Sequence, residues 1–207
     1  MCGRYSLFTQ QENDEIAEII QAISRKYPER DFRTGEIFPS QTAPVLIKEG
    51  TALSPELSVW GFSGYKGKGL IINARAETAA EKRTFRDSLL FRRCIIPSTG
   101  FYEWDAQKQK RLFRLPGEQT LYMGGIYKEF QGVRRHVILT AAANSSVKEI
   151  HDCMPVILPQ GALKDWISDA GACYTESLIF LINERYRILR VPILLFLHMQ
   201  LLTPRFR

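Results

Sequence analysis

Two stretches of the chain carry a helical pattern of apolar residues. Between residues 12 and 26, isoleucine recurs at positions 16, 19, 20 and 23, a spacing of three and four that places these side chains on one helical face. Acidic residues stand near its start and Tyr27-Pro28 follows its end, as is typical of helix termini. We predict a helix there and a second one over residues 76–90, which are rich in alanine and glutamate.

From residue 39 onward the pattern changes to short apolar, β-branched runs separated by glycine, proline and charged clusters, which is typical of strands. The strands that we predict cover residues 43–48, 57–62, 69–73, 93–97, 100–104, 112–115, 121–127 and 136–140. A polar turn over residues 105–110 predicts a hairpin. Because helices and strands do not alternate regularly, we predict an α+β fold: a single β-rich domain of curved, mostly antiparallel sheets with flanking helices.

The end of the chain has a different composition. From Cys173 to Arg207 it is dominated by leucine, isoleucine and arginine, and residues 190–202 are unusually apolar for a surface but too short to span a bilayer. This stretch fits either a core strand or an aggregation-prone segment. We therefore expect one domain over residues 1–170 and an atypical apolar, arginine-rich tail over residues 171–207.

A chain of 207 residues is long enough for one domain with a substantial core. Lysine and arginine outnumber aspartate and glutamate by 28 to 22, and the net charge of +6 favours encounter with a polyanion. No signal peptide or membrane-spanning run is recognisable, so we expect a cytoplasmic protein. The four cysteines are scattered without a Cys-x-x-Cys pair, so we expect no metal site, no disulfide framework and no cofactor.

The opening Met1-Cys2 places a thiol next to the N-terminus. If Met1 is removed, which the small second residue permits, Cys2 carries a free α-amine and a thiol on adjacent carbons. An α-amine titrates at about 7.8, against about 10.4 for lysine, so a fraction is neutral and can form a Schiff base with an aldehyde. The thiol can then close a thiazolidine ring and trap the aldehyde. The alternative is that Cys2 is a small, buried and inert hydrophobic residue.

Two further residues are candidates for proton transfer. Glu103 is flanked by aromatic residues within residues 100–104, and such surroundings raise the pKa of a carboxyl group by desolvation. Alternatively, Glu103 faces solvent on a half-buried strand. His151 follows a polar stretch, and histidine is the usual proton shuttle near neutral pH. A structural role for His151 fits the sequence equally well.

Two sets of residues are candidates for binding nucleic acid. Asn73, Arg75 and Glu77 alternate onto one face of a strand end, where they either bind a phosphate or form a solvated polar face. The second set is an aromatic and basic strip, which provides rings for base stacking unless those rings belong to the core. Its members are Trp60, Phe62, Tyr65, Lys66 and Lys68.

Six short blocks, by their order and spacing, resemble the SOS response-associated peptidase (SRAP) family. They are Met1-Cys2-Gly3-Arg4, Trp60-Gly61 and residues 73–78, 93–97, 100–104 and 151–158. The resemblance runs from Met1 to about Trp166. It implies a β-rich α+β fold, removal of Met1 by self-processing, and a role in the response to DNA damage. In that role Cys2 captures the ring-opened sugar of an abasic site as a thiazolidine.

The resemblance also implies catalytic roles for the matching residues. Cys2 would form the covalent bond, and Asn73 would orient the reacting groups. Glu103 would handle protons at the Cys2 amine, and His151 would promote opening of the deoxyribose ring. The protein would thus be an enzyme, with an autoproteolytic peptidase activity and a lyase-like crosslinking activity on abasic sites.

The same resemblance implies a DNA-binding surface. Arg4 and Arg75 would hold flanking phosphates, and Trp60 would stack on a base. The expected partner is single-stranded DNA that contains an abasic site, because an unpaired strand can splay this nucleotide into a pocket without the full cost of unpairing. We expect a monomer that associates with the nucleoid on DNA and not with a membrane. Cys153 stands where the family usually has arginine, so we expect a lower DNA affinity.

Three other functions remain open at this point. An N-terminal-nucleophile amidotransferase also begins with Met-Cys-Gly and uses the free amine as base for the thiol, but the sequence has no Asn-Gly-Asp or Arg-Gly-Pro-Asp segment of the kind found in those enzymes. A cysteine peptidase would pair Cys2 with His151, oriented by Asn73 or Glu103. A noncatalytic reader of modified bases would use the aromatic and basic strip and would not need Cys2.

Overall fold

The structure is a computed structural model that describes residues 2–9, 14–64, 67–168 and 188–191. Its helices are short except for the first. They are α1 (Asp14–Lys26), α2 (Ala76–Ala79), α3 (Arg86–Phe91) and α4 (Leu163–Ile167), with 3-10 turns at Pro116–Glu118 and Gln160–Ala162. Strands form most of the fold. They are β1 (Arg4–Leu7), β2 (Gly35–Ile37), β3 (Thr42–Glu49), β4 (Ala52–Trp60), β5 (Phe62–Ser63), β6 (Leu70–Ile71), β7 (Asn73–Arg75), β8 (Arg93–Ser98), β9 (Gly100–Trp104), β10 (Lys110–Arg114), β11 (Leu121–Phe130), β12 (Val133–Ala142), β13 (Cys153–Pro155), β14 (Ile157–Leu158) and β15 (Leu189–Val191).

The first predicted helix is confirmed as α1. Its buried residues are Ile16, Ile19 and Ile23, which are three and four residues apart, and the helix packs on β3 and β4. Acidic side chains in its first turn and basic ones in its last turn complement the helix dipole. Residues 12 and 13 of the predicted helix lie outside the described part of the chain.

The second predicted helix is wrong as a single element, because turns separate α2 from α3. Residues 80–84 are all exposed, so no apolar stripe continues through them and a helix there would gain nothing from packing. Burial resumes at Phe85, which joins Ala76 and Ala79 in one hydrophobic cluster. The segment is therefore anchored at its buried residues and carries an exposed polar stretch between them.

Five strands close into a barrel. The order β4, β3, β8, β11 and β12 is continuous, and β12 also pairs with β4, so this ring has no open edge. Neighbours in the ring are antiparallel except for β12 and β4, which run parallel with His136 opposite Trp60. Strands β7 and β13 pair with β12 outside the ring. The prediction of a β-rich α+β fold with mostly antiparallel sheets is confirmed.

A second sheet carries the N-terminal strand. Its order is β15, β10, β9, β1 and β2, and every pair in it is antiparallel. Arg4 lies opposite Tyr102, so the residues that precede β1 lie beside Glu103. Tyr5 from this sheet and Trp60 from the barrel belong to one hydrophobic cluster. This shared core fixes the N-terminal segment against β9.

Part of the C-terminal stretch has a defined place in the second sheet. Ile188 is buried, and Leu189–Val191 pairs with β10. The other residues of the predicted tail, 171–187 and 192–207, lie outside the described residues, so the domain boundary at residue 170 stays a prediction. Within the ranges that the structure describes, no helix is long and apolar enough to cross a membrane.

Candidate active site

Cys2 is held immediately before β1 by contacts on both its side chain and its backbone. The side chain is fully buried, and its Sγ lies 3.7 Å from the Arg4 carbonyl oxygen. The Cys2 carbonyl oxygen accepts a hydrogen bond of 2.8 Å from Asn73 Nδ2. Burial, and secondarily the negative charge of Glu103, raise the pKa of the Cys2 thiol. The thiol is therefore protonated at neutral pH.

Asn73 reaches Cys2 because β7 runs parallel to β12 at the edge of the barrel. In this pairing Asn73 lies opposite Ile138, and its side chain extends toward the N-terminal segment. The amide nitrogen is used by Cys2, whereas the amide oxygen is buried and has no hydrogen-bond partner. Asn73 thus offers a free acceptor beside the cysteine.

Glu103 lies on β9 and is 2% exposed. Desolvation raises the pKa of its carboxyl group to about 7. Its Oε2 is 3.8 Å from His151 Nε2, and its Oε1 is buried without a hydrogen-bond partner. A buried carboxyl group with a pKa near neutrality can both take up and release a proton under physiological conditions. The sequence-based expectation of a raised pKa agrees with this environment.

His151 lies at the boundary between this cluster and solvent, with a side chain that is 27% exposed. Burial lowers the pKa of its imidazole, so the ring is neutral at pH 7. Its Nδ1 lies 3.1 Å from the backbone nitrogen and 3.5 Å from the Sγ of Cys153. When Nδ1 accepts from that nitrogen, the proton of the neutral ring is on Nε2, which faces Glu103. Cys153, singled out as a departure from the family, therefore contacts a predicted catalytic residue.

Arg4 occupies the rim of the site. Its guanidinium carbon is 4.0 Å from the centre of the Phe38 ring and 5.2 Å from that of Trp104, and its Nη1 is 3.4 Å from Glu36 Oε2. Arg75 is exposed at the end of β7. The structure thus places Arg4 near Cys2 and Arg75 two residues beyond Asn73.

The structure does not place Trp60 where a base could reach it. The ring is fully buried, its Nε1 donates to the Ile72 carbonyl oxygen at 3.0 Å, and its centre lies 5.2 Å from that of Tyr5. A ring without an exposed face cannot stack on a base, so this structure gives the stacking prediction no support. Phe62 is also buried, and residues 65 and 66 of the aromatic strip lie outside the described residues.

The sequence did not single out Phe38, the exposed ring that supports Arg4. Phe38 is 37% exposed and lies in a turn where its backbone nitrogen bonds Gln41 Oε1. Phe38 and Arg4 are 34 residues apart in the sequence. The pairing of β1 with β2 brings them into contact. A single aromatic residue in a turn carries no periodic signal that would reveal it.

The fold and the site together define a class of protein: a β-rich α+β domain that holds the second residue of the chain, a cysteine, beside an amide, a buried carboxyl group and a histidine. The family model for SOS response associated peptidase (SRAP) matches residues 1–191. The chain belongs to this family, and the family prediction made from the sequence is confirmed. Among the residues that the structure describes, no group of three His, Cys, Asp or Glu side chains is arranged to hold a metal ion.

Relatives agree with this assignment, and a solved structure agrees with the fold. Abasic site processing protein YoqW of Bacillus subtilis (strain 168) is 32% identical over 200 residues, covering 86% of this chain and 86% of that protein. Abasic site processing protein YedK of Escherichia coli (strain K12) is 29% identical over 178 residues, covering 81% and 79%. A solved protein from Bacteroides thetaiotaomicron superposes with a TM-score of 0.69 at 20% identity and covers 92% of both chains. That structural likeness establishes the fold alone.

Proposed function

We propose that this protein processes abasic sites in single-stranded DNA by capturing them covalently on Cys2. The observation that carries the proposal is a pair of buried acceptors beside the cysteine, Asn73 Oδ1 and Glu103 Oε1, which have no hydrogen-bond partner. Buried polar atoms are seldom left unpaired, and these two would receive the α-amine of Cys2 after Met1 is removed. The relatives named abasic site processing proteins support the same function.

Capture in this proposal has two steps. The neutral α-amine attacks the aldehyde carbon of the ring-opened sugar, and one water leaves to give an imine. The thiol sulfur then attacks the imine carbon, and the thiol proton passes to the nitrogen. The product is a thiazolidine in which the former aldehyde carbon is bonded to both the nitrogen and the sulfur of Cys2.

Glu103 suits proton transfer in the first step. As a carboxylate it takes a proton from the Cys2 ammonium group, and in its protonated form it supplies a proton to the departing hydroxyl group. Both forms are populated near neutral pH because desolvation raises the pKa of the carboxyl group to about 7. The same carboxyl group is the proposed proton-transfer residue for the self-processing that removes Met1.

His151 suits the preceding opening of the deoxyribose ring. In this step the anomeric hydroxyl group gives up its proton and becomes the aldehyde oxygen, while the bond from the anomeric carbon to the ring oxygen breaks and the ring oxygen takes up a proton. When Nδ1 donates to the Cys153 carbonyl oxygen at 3.1 Å, the Nε2 of the neutral imidazole can accept the hydroxyl proton. Its pKa is lowered by burial, which keeps the ring neutral, and its partial exposure lets a sugar approach from solvent. We assign His151 this role in ring opening.

Arg4 and Arg75 are the proposed phosphate contacts. Each lies two residues after a residue of the active site, Cys2 and Asn73 respectively, so the two cations flank the reactive centre. An unpaired strand can present its abasic sugar to a buried cysteine without opening a duplex. We further propose that the protein acts as a monomer on the nucleoid during the response to DNA damage.

The geometry argues against the cysteine peptidase alternative. A catalytic thiolate needs a neighbouring cation that lowers its pKa. Here burial and Glu103 raise the pKa of the Cys2 thiol, and the Nδ1 of His151 is engaged by Cys153. A protonated thiol next to a free amine instead suits closure of a ring onto an imine.

Borohydride reduction distinguishes a thiazolidine from a simple Schiff base. Met1-free wild-type protein, verified by intact mass, is incubated with a single-stranded oligonucleotide carrying one abasic site and denatured with and without borohydride. Wild type should form a heat-stable adduct without reduction. Cys2→Ser keeps the amine and should form an adduct only when borohydride reduces the imine. An equally stable unreduced adduct from Cys2→Ser would rule out the thiazolidine.

A further inference from the structure

Phe91 is the most exposed large apolar side chain among the described residues, with 75% of its surface accessible. It ends α3 beside Leu90, which is 36% exposed. Its position is fixed, because the buried guanidinium of Arg93 donates to the carbonyl oxygens of Leu89 at 2.6 Å and Leu90 at 3.0 Å. The ring therefore projects from a rigid base.

Exposed cations lie along the chain between the active site and this ring. Arg75, Lys82 and Arg83 are exposed, and the same segment carries Glu77 and the exposed Glu81. No salt bridge joins these three cations to another of the described residues. Arg86 follows them and pairs with its neighbour Asp87 at 3.4 Å. Charges that are not neutralised by the protein are available to phosphates.

The segment that bears these cations crosses the outside of the barrel. Helix α2 packs on β7 and β12, and α3 packs on β11 and β8. Three strand spacings of about 4.8 Å each separate β7 from β8, which is roughly 15 Å across the sheet alone. The path to Phe91 is longer, because the pairing registers place Arg75 level with Ile96 on β8. At about 3.4 Å per stacked nucleotide, a strand leaving the active site needs at least about five nucleotides to reach Phe91.

We propose that Phe91 is a second base-stacking site, which binds single-stranded DNA on one side of the abasic nucleotide along the exposed segment from Arg75 to Arg86. The inference rests on the proposed function and extends it from the captured sugar to the flanking strand. It also assigns base stacking to an exposed ring, a role that the buried Trp60 cannot perform.

The combination of features favours nucleic acid over a protein partner. A single exposed aromatic ring is common on protein surfaces, and Phe91 with Leu90 would also suit an apolar side chain of an acidic peptide. The distinguishing feature is the excess of positive charge next to the ring, since residues 82–92 contain four cations and one acidic residue. Positive charge interleaved with aromatic surface is the chemistry that binds unpaired strands.

The test uses Met1-free protein and single-stranded oligonucleotides that carry one abasic site. One side of the abasic site has either roughly two or roughly ten nucleotides, and the two sides are lengthened in separate experiments. The rate of adduct formation is measured at limiting protein for wild type, Phe91→Ala, Phe91→Leu and Phe91→Trp. Val133→Ala serves as the matched control, because Val133 is also exposed, at 44%, on another part of the surface. Thermal unfolding verifies that each variant is folded.

Lengthening the oligonucleotide on one side of the abasic site should accelerate adduct formation by wild type, by Phe91→Trp and by the Val133→Ala control. Phe91→Ala and Phe91→Leu should be about fivefold slower on the long oligonucleotide, the effect expected from the loss of one base-stacking contact at an exposed ring, and unchanged on the short one. If Phe91→Ala forms the adduct on the long oligonucleotide as fast as wild type, base stacking at Phe91 is excluded. If Phe91→Leu alone does so, base stacking is likewise excluded, and the result points to an apolar protein partner.

Failure of the proposed function gives a different result. If no variant, including wild type, forms an adduct, capture by Cys2 is excluded, and fluorescence anisotropy with undamaged oligonucleotides of the same lengths still decides the role of Phe91. A ring-dependent difference in that measurement supports the stacking site by itself, and its absence overturns it.

Discussion

Desolvation of the Glu103 carboxyl group gives the proposed mechanism a specific pH dependence. Its carboxyl group has a pKa of about 7, so the rate of adduct formation should rise as pH increases through about 7 and the carboxylate forms. In Glu103→Gln the rate at neutral pH should fall on the order of a hundredfold. Its remaining rise should follow the α-amine, at about 7.8. An unchanged midpoint in Glu103→Gln would assign the titration to another group.

The same residue links pH to stability. The folded pKa of Glu103, about 7, lies above its unfolded value of about 4.3, so its contribution to stability is fully present below that value and is lost as pH rises through about 7. Urea denaturation on either side of this window checks the sign. Glu103→Gln should lose less stability across it than wild type does.

Trp60 should act on stability and not on DNA binding. Trp60→Phe removes the hydrogen bond from Nε1 to Ile72 and leaves a small cavity in the core, which should lower the free energy of unfolding by about 2 kcal/mol. Urea denaturation measures this loss, and anisotropy with single-stranded DNA should show an unchanged affinity under native conditions. Weaker DNA binding by Trp60→Phe at unchanged stability would show that Trp60 contributes to DNA binding.

At the residue scale, the sequence predicted chemistry better than position. Cys2, Glu103 and His151 could be singled out because their types and neighbours suit the proposed reaction, and the structure brings Glu103 close to both other residues. The burial of Trp60 could not be predicted, because aromatic residues on a strand suit a core and a binding strip equally. The contact of Arg4 with Phe38 depends on pairing of β1 with β2, which local sequence does not encode.

Arg93, the first residue of β8, links helices α3 and α4. It is 6% exposed and donates to carbonyl oxygens of α3 and to that of Trp166 in α4. Arg93→Met should lower the free energy of unfolding by about 3 kcal/mol, because several buried carbonyl groups lose a charged donor. Urea denaturation measures the loss, with the exposed Arg86→Met as control. An equal effect of both substitutions would show that the bridging contacts contribute no stability.

At the element scale, long periodic segments were predictable and short ones were not. Helix α1 and the central strands follow from apolar spacing over many residues. Strands β1 and β2 have four and three residues, too few for a repeat to show. The predicted second helix failed because alanine and glutamate favour a helix locally, whereas burial in the folded chain stops after Ala79 and resumes at Phe85.

For the whole molecule, closure of the barrel and docking of the second sheet create the site, since Asn73 comes from the edge of the first and Glu103 from the second. No local pattern encodes this meeting. The β-rich α+β class could still be predicted, because the number and order of apolar runs limit the possible architectures.

The affinity for DNA should rise with the positive charge of the molecule, and one added cation near the site tests this. Cys153→Arg adds a cation beside His151, and binding to single-stranded DNA should become several-fold tighter, with the slope of log affinity against log salt steeper by about one ion. Anisotropy titrations at several salt concentrations measure both quantities, and Cys153→Ser controls for loss of the thiol. A slope that does not change would show that residue 153 lies away from the phosphates.

The most direct test of the central claim is the intact mass of the product. Met1-free protein is incubated with a single-stranded oligonucleotide carrying one abasic site, denatured by heat, and analysed beside Cys2→Ala. Covalent capture by Cys2 predicts a species with the combined mass of protein and oligonucleotide less one water, formed only when Cys2 is present. Absence of this species from folded, Met1-free wild-type protein would contradict covalent capture by Cys2.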